Sequence, residues 1–218
     1  LDPKETTTVT EEDLQALVAA HYLALADLLD GLPPERWGTP SLCTEWRVRE
    51  VVAHVTMPAR YEEAAFLAEL RDDGFDFTRL SNRIAARDGQ LPTDDLVKNL
   101  RSEALHAWQP PGGGAHGALN HVVVHGLDIT VPLGERRLSP DATIQVALDQ
   151  LTGGGGHAHF GTEISGRTLS ATDLDWSYGS GPPLRGSAED LVLHLCGRVV
   201  PDGRLAGEPL ARTLMAQG

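Results

Sequence analysis

The sequence predicts a mainly α chain with a small α/β part: an N-terminal four-helix bundle over residues 1–152, followed by a small C-terminal α/β domain over 153–218. Three observations carry this reading. Before residue 152, long segments repeat apolar residues at helical spacing between capping and breaking residues. Four consecutive glycines, 153–156, then punctuate the chain. Beyond them "GRTLSATDLDWSYGSGPPLRG" has the texture of short strands around turns, and "SAEDLVLHLCGR" that of a capped amphipathic helix.

The first helix is predicted over "TEEDLQALVAAHYLALADLLDGLPP". Thr10 caps it, acidic residues fill its first turn, and Leu14, Leu17, Val18, Leu25, Leu28 and Leu29 form its stripe. Gly31 and Pro33–Pro34 end it. The second, "RVREVVAHVTMPARYEEAAFLAELRDDG", turns Val48, Val51, Val52 and Val55 inward and sets His54 on the shoulder of that face. Pro58 removes a hydrogen bond to the His54 carbonyl, so a kink is expected within a turn of it. After a polar stretch around "LSNRIAARDGQLP", Thr93 is expected to cap a third helix, "DDLVKNLRSEALHAW". "QPPGGGAHG" reads as a loop, and "SPDATIQVALDQLT" as a helix capped by Ser139 with Pro140 at its first position.

The segment "NHVVVHGLDIT" (120–130) is ambiguous. Three valines favour a strand, on which His121 and His125 would lie roughly 13 Å apart. On a helix they would be one turn apart, roughly 6 Å, close enough to grip one ion. Completion of the bundle favours the helix, because tertiary context overrides valine propensity. His121, His125 and Asp128 then share one stripe, flanked by apolar residues and facing inward. Inward polar side chains need partners, and one metal ion satisfies several together. His54 is the candidate third ligand. A hydrogen-bonded core histidine is the competing reading for each, and His157/His159 in "HAHF" form a rival pair on a loop.

Composition narrows the function. Among 218 residues, Lys+Arg 18 against Asp+Glu 31 gives a net charge of −13, which argues against nucleic-acid or membrane-surface binding. No apolar run approaches the roughly 20 residues that span a bilayer, and no signal peptide is read. Cys43 and Cys196 form no framework; both read as small packing residues, and the expected setting is the reducing cytoplasm. Nucleophile-elbow, phosphate-loop and dinucleotide signatures are missing from the sequence.

"WGTPSLCTEWRVREVVAHV", "NHVVVHGLDITVPLG" and "DLDWSYGSGPPLRGSAEDLVLHLCGR" together resemble the mycothiol-dependent maleylpyruvate isomerase family, within the DinB-like metalloenzymes. The resemblance runs over nearly the whole chain. It implies a DinB-like four-helix bundle holding a divalent metal, commonly zinc, and a small C-terminal α/β domain. The family's metal-ligating histidines fall on His54, His121 and His125, and its active-site arginine falls on Arg198. The isomerase pattern carries an acidic residue where this chain has His121. Three neutral histidines would leave the site at +2 rather than +1, a stronger Lewis acid.

Three ligands on a tetrahedral ion leave an open position, the arrangement of a catalytic zinc site. The resemblance implies mycothiol as a thiol cosubstrate, activated as thiolate for addition to a small electrophile, which can bear a carboxylate. The product is then a thiol conjugate, by S-transfer, or a cis–trans isomer of maleylpyruvate type. Arg198 would hold that carboxylate or developing negative charge, its alternative being an ordinary helix-end arginine. Asp128 would fix the tautomer of His125, its alternative being an ordinary helix-end carboxylate. A metal-dependent hydrolase and a non-catalytic metal- or small-molecule-binding module are the competing functions.

Overall fold

A computed structural model of the chain describes residues 9–210. Helix α1 (Glu11–Asp30) starts as expected: the Thr10 hydroxyl accepts from the Asp13 amide at 3.1 Å, while Asp13 accepts from the Thr10 amide at 3.0 Å. Its stripe, with Leu14, Val18, Tyr22, Leu25 and Leu29 buried, packs most extensively against α8 (Gly114–Leu133).

The second predicted helix is three. α2 (Val48–Val55) ends at Thr56, α3 (Met57–Arg60) carries Pro58 in its first turn, and α4 (Glu63–Asp72) follows another break. The expected kink beside His54 is therefore a full interruption. Arg60 closes it by donating Nη2 to the Ala53 carbonyl at 2.7 Å, while the Thr56 hydroxyl takes the Val52 carbonyl at 2.6 Å. The polar stretch that follows is also helical, α5 (Phe77–Asp88). Asp76 caps it, and only Leu80, Ser81, Ile84, Ala85 and Asp88 turn inward, too few apolar residues to stand out among its arginines.

The third predicted helix divides into α6 (Thr93–Leu100) and α7 (Glu103–Ala107), with Pro92 rather than Thr93 at the cap position. The valine segment is helical, as the bundle required, and α8 begins earlier than expected, inside the glycine-rich stretch. At α9 (Asp141–Thr152) the cap position is Pro140, because the Ser139 hydroxyl is engaged elsewhere, 2.7 Å from His21 Nδ1.

Helices α1, α2, α6 and α8 form the bundle, with α5 against α2 and α9 against α8. After α9 come β1 (Thr168–Ala171), β2 (Ser177–Gly179), β3 (Pro183–Gly186), α10 (Ala188–Leu195) and β4 (Ala206–Gly207). The sheet order is β2-β1-β3-β4, with β1 parallel to β3 and the outer pairs antiparallel. Leu169 and Leu184 sit opposite each other in the β1/β3 register, both buried where α10 packs on these strands. α10 also packs on α9 and α8, so one apolar core runs through both parts of the chain. No described helix is long and apolar enough to cross a membrane.

His21 makes the α1–α8 contact sensitive to acid. It is buried, and a side-chain carbon at Gly126 would stand 2.3 Å from its Nε2, so only glycine lets the two helices meet here. Burial lowers the His21 pKa to about 4 from 6.5. The unfolded chain therefore takes up a proton first as pH falls. The stabilisation is complete above about 6.5 and is lost towards 4, an effect on the order of 3 kcal/mol. His21→Gln should flatten the pH dependence of the denaturant midpoint between pH 6.5 and 4 relative to wild type. Identical slopes would show that His21 protonates while folded.

Candidate metal centre

The break after α2 and the close approach of α8 bring three imidazoles together. His121 and His125, one turn apart on α8, have ring centroids 4.7 Å apart. His54 reaches them from α2, with centroid separations of 5.3 Å to His121 and 4.9 Å to His125. Nε2 of His54 and Nε2 of His121 are 3.3 Å apart, and one nitrogen from each of the three rings lies within 4.8 Å of the others. The structure thus gathers all three expected ligands.

The donor set fits a divalent ion. Burial first, and the neighbouring imidazoles next, hold the His54 and His121 pKa values well below 6.5, so both stay neutral with lone pairs to offer. His125 is set by its partner: Nδ1–H donates to Asp128 Oδ2 at 2.9 Å, which leaves the lone pair on Nε2. His121 Nδ1 has the Tyr22 hydroxyl at 3.5 Å, a long contact, and His54 Nδ1 is buried with no hydrogen-bond partner among the described residues. Aromatic rings wall the group. Trp46 lies 4.9 Å from the His54 ring and Trp108 5.2 Å from that of His121, centroid to centroid.

Asp128 has no solvent-exposed surface (0%) and is the most heavily bonded carboxylate of the site. Besides His125, its Oδ2 accepts from Arg198 Nη2 at 2.9 Å and from the Cys43 thiol at 3.0 Å, while Oδ1 accepts from Arg198 Nε at 2.8 Å. Burial opposes its ionisation, but the hydrogen bonds from His125 and Arg198 outweigh that and hold the carboxyl well below its usual range. The structure thus places Asp128 beside His125 and brings Arg198 to the same carboxylate.

Cys43 was expected to be a packing residue, yet it lies at this site. Burial, and then the charge of Asp128, push its thiol up, so it remains a donor. Cys43, His125 and Asp128 also form a compact donor group, but Arg198 stands there with Nη2 3.5 Å from the sulfur, and its charge opposes a second cation. Among the described residues these are the two groups of three or more potential ligands, and neither includes His157 or His159. The rival pair sits in a 3-10 turn, Gly156–Phe160. Away from this site, Asp73 is buried and pairs with Arg83 Nη2 through Oδ2 at 2.6 Å.

A bundle with an inward three-histidine cluster and an α/β appendage has the DinB-like architecture. Residues 18–109 match the family profile of the mycothiol maleylpyruvate isomerase N-terminal domain. Two crystal structures of the mycothiol-dependent maleylpyruvate isomerase share the fold. A histidine-to-alanine mutant aligns at 15% identity and TM-score 0.56, covering 91% of this chain and 92% of its own. A second structure of the isomerase aligns at 16% identity and TM-score 0.53, with the same coverage. No curated protein matches the chain.

Proposed function

We propose that the chain is a divalent-metal-dependent, mycothiol-dependent enzyme of the cytoplasm, with zinc held by His54, His121 and His125. The observation that carries this reading is the convergence of three imidazole nitrogens within 4.8 Å of one another, one ring fixed as a single tautomer by Asp128. A divalent ion at that point would supply a Lewis acid with an open position, where a thiol enters as thiolate. The family match supports mycothiol as that thiol.

The chain's own residues have distinct tasks. His54 and His121 stay neutral, so the cluster keeps its full positive charge once loaded. Trp46 packs against the His54 ring and Trp108 against the His121 ring. Beside Cys43 and Trp46 a cavity of about 600 Å³, lined also by Ser41, Leu42, Val199 and Pro201, offers room for the body of a small molecule. The chemistry served is addition of the thiol sulfur to an electrophilic carbon. It ends in a conjugate, by S-transfer, or in an isomer once the former double bond has rotated and the thiol has left.

Metal-loaded protein should turn over a panel of small electrophiles, with and without a carboxylate, only when mycothiol is added. Thiol-independent hydrolysis would instead establish the hydrolase, and metal binding without turnover a binding module. The reading also divides the chain after residue 152, so limited proteolysis should cut first within the glycine run 153–156.

A further inference from the structure

Helix α10 ends in "LHLCGR", and that ending aims a side chain. Gly197 has φ 77°, in the left-handed region. Its amide donates to the His194 carbonyl at 3.2 Å, and the Arg198 amide donates to the Leu193 carbonyl at 2.9 Å, which closes the helix with two reversed bonds. The chain turns back at this point and sends the Arg198 side chain inward to α8, where the residue is only 8% exposed. All three guanidinium nitrogens then meet protein acceptors. Nε and Nη2 grip the two oxygens of Asp128, at 2.8 and 2.9 Å, and Nη1 donates to the Cys196 carbonyl at 3.4 Å.

We propose that Arg198 is a positioning residue that acts on the metal through Asp128 and His125, rather than a residue that contacts the substrate. This rests on the reading of His54, His121 and His125 as the metal ligands. A two-toothed fork fixes the plane of a carboxylate as a point charge cannot. The fixed, ionised Asp128 holds the proton on His125 Nδ1, so that Nε2 is the nitrogen with a lone pair to offer. The C-terminal part of the chain thereby sets how tightly the bundle binds its ion.

The test is zinc affinity by competition with a chromogenic chelator, on the full chain, for wild type, Arg198→Ala, Arg198→Lys, Asp128→Asn and the Asp128→Asn/Arg198→Ala double variant. Each is paired with a thermal melt of the metal-free protein, and with the visible spectrum of the cobalt-loaded form, which reports the ligand field. Arg198→Ala should weaken zinc binding about 10–100-fold and shift the cobalt bands, with Arg198→Lys recovering part of the loss. In the Asp128→Asn background the same alanine should add less than about threefold, because the path is already cut. If Arg198→Ala does not fold, Arg198→Lys against Asp128→Asn decides by the same readouts. Zinc affinity unchanged in the Arg198 variants, with KM raised for a carboxylate-bearing electrophile, would overturn the proposal and return Arg198 to the substrate. A wild-type chain that binds no zinc would overturn the metal-centre reading as well.

Discussion

Asp128→Ala should lower the stability of the metal-free protein by about 3–5 kcal/mol, the cost of breaking a buried ion pair by removing one partner. Arg198 is 8% exposed and its principal partner is the Asp128 carboxylate, bonded through Nε and Nη2. Alanine there takes from the guanidinium the carboxylate that Nε and Nη2 grip, and also deprives His125 and Cys43 of their acceptor. Loss of area adds little, so the penalty is electrostatic, and Asp128→Asn should lose less because the amide oxygen still accepts one hydrogen bond. Urea denaturation of the metal-free variants measures this directly. A loss under about 1 kcal/mol in Asp128→Ala would mean that Arg198 is satisfied without Asp128.

Alanine at His54, His121 or His125 should have the largest effect on function. Structural zinc binding of about 10–16 kcal/mol, shared over four ligands, makes each worth about 2.5–4 kcal/mol, or roughly 10²–10³ in affinity. The fold should survive, because a neutral imidazole leaves no stranded charge behind. Far-ultraviolet circular dichroism should therefore match wild type while bound metal falls below detection in dilute protein. Wild-type occupancy in all three variants would show that the ion, if any, sits elsewhere.

Much of this was legible in residue patterns, for reasons that differ from element to element. The ends of α1 and α10 were readable because Thr10 and Ser187 accept from the amide three residues on, a local interaction that needs no tertiary knowledge. His121 and His125 could be placed on a helix only by counting bundle members, since Val122, Val123 and Val124 on their own favour a strand. The breaks in the second and third helices were missed because the residues that repair them, Arg60 on the Ala53 carbonyl among them, act across the break and leave no periodic trace. Helix α5 was hidden by its arginines, which pair with Asp73, Asp88 and Glu69 rather than marking a loop.

The candidate site shows the same divide. The three histidines and Asp128 were visible as residue types at telling intervals, and Arg198 through resemblance. Tyr22 and Cys43 were not, because a phenol on α1 and a thiol in the loop before α2 acquire meaning only when the packing of α8 brings His121 and Asp128 to them. The motif containing Cys43 also holds Trp46, which covers His54, and that stretch was the available signal. Nor could spacing show that the Arg198 fork points at Asp128; the reversal at Gly197 decides it.

The most direct test of the three-histidine centre is X-ray absorption on the zinc-loaded wild-type chain, with metal content measured on the same sample. The account expects one zinc per chain, with the multiple-scattering pattern of three imidazoles at about 2.0–2.1 Å and one lighter ligand completing a four-coordinate shell. A shell of oxygens with fewer than two imidazoles, or zinc well below one per chain at saturating metal, would contradict it.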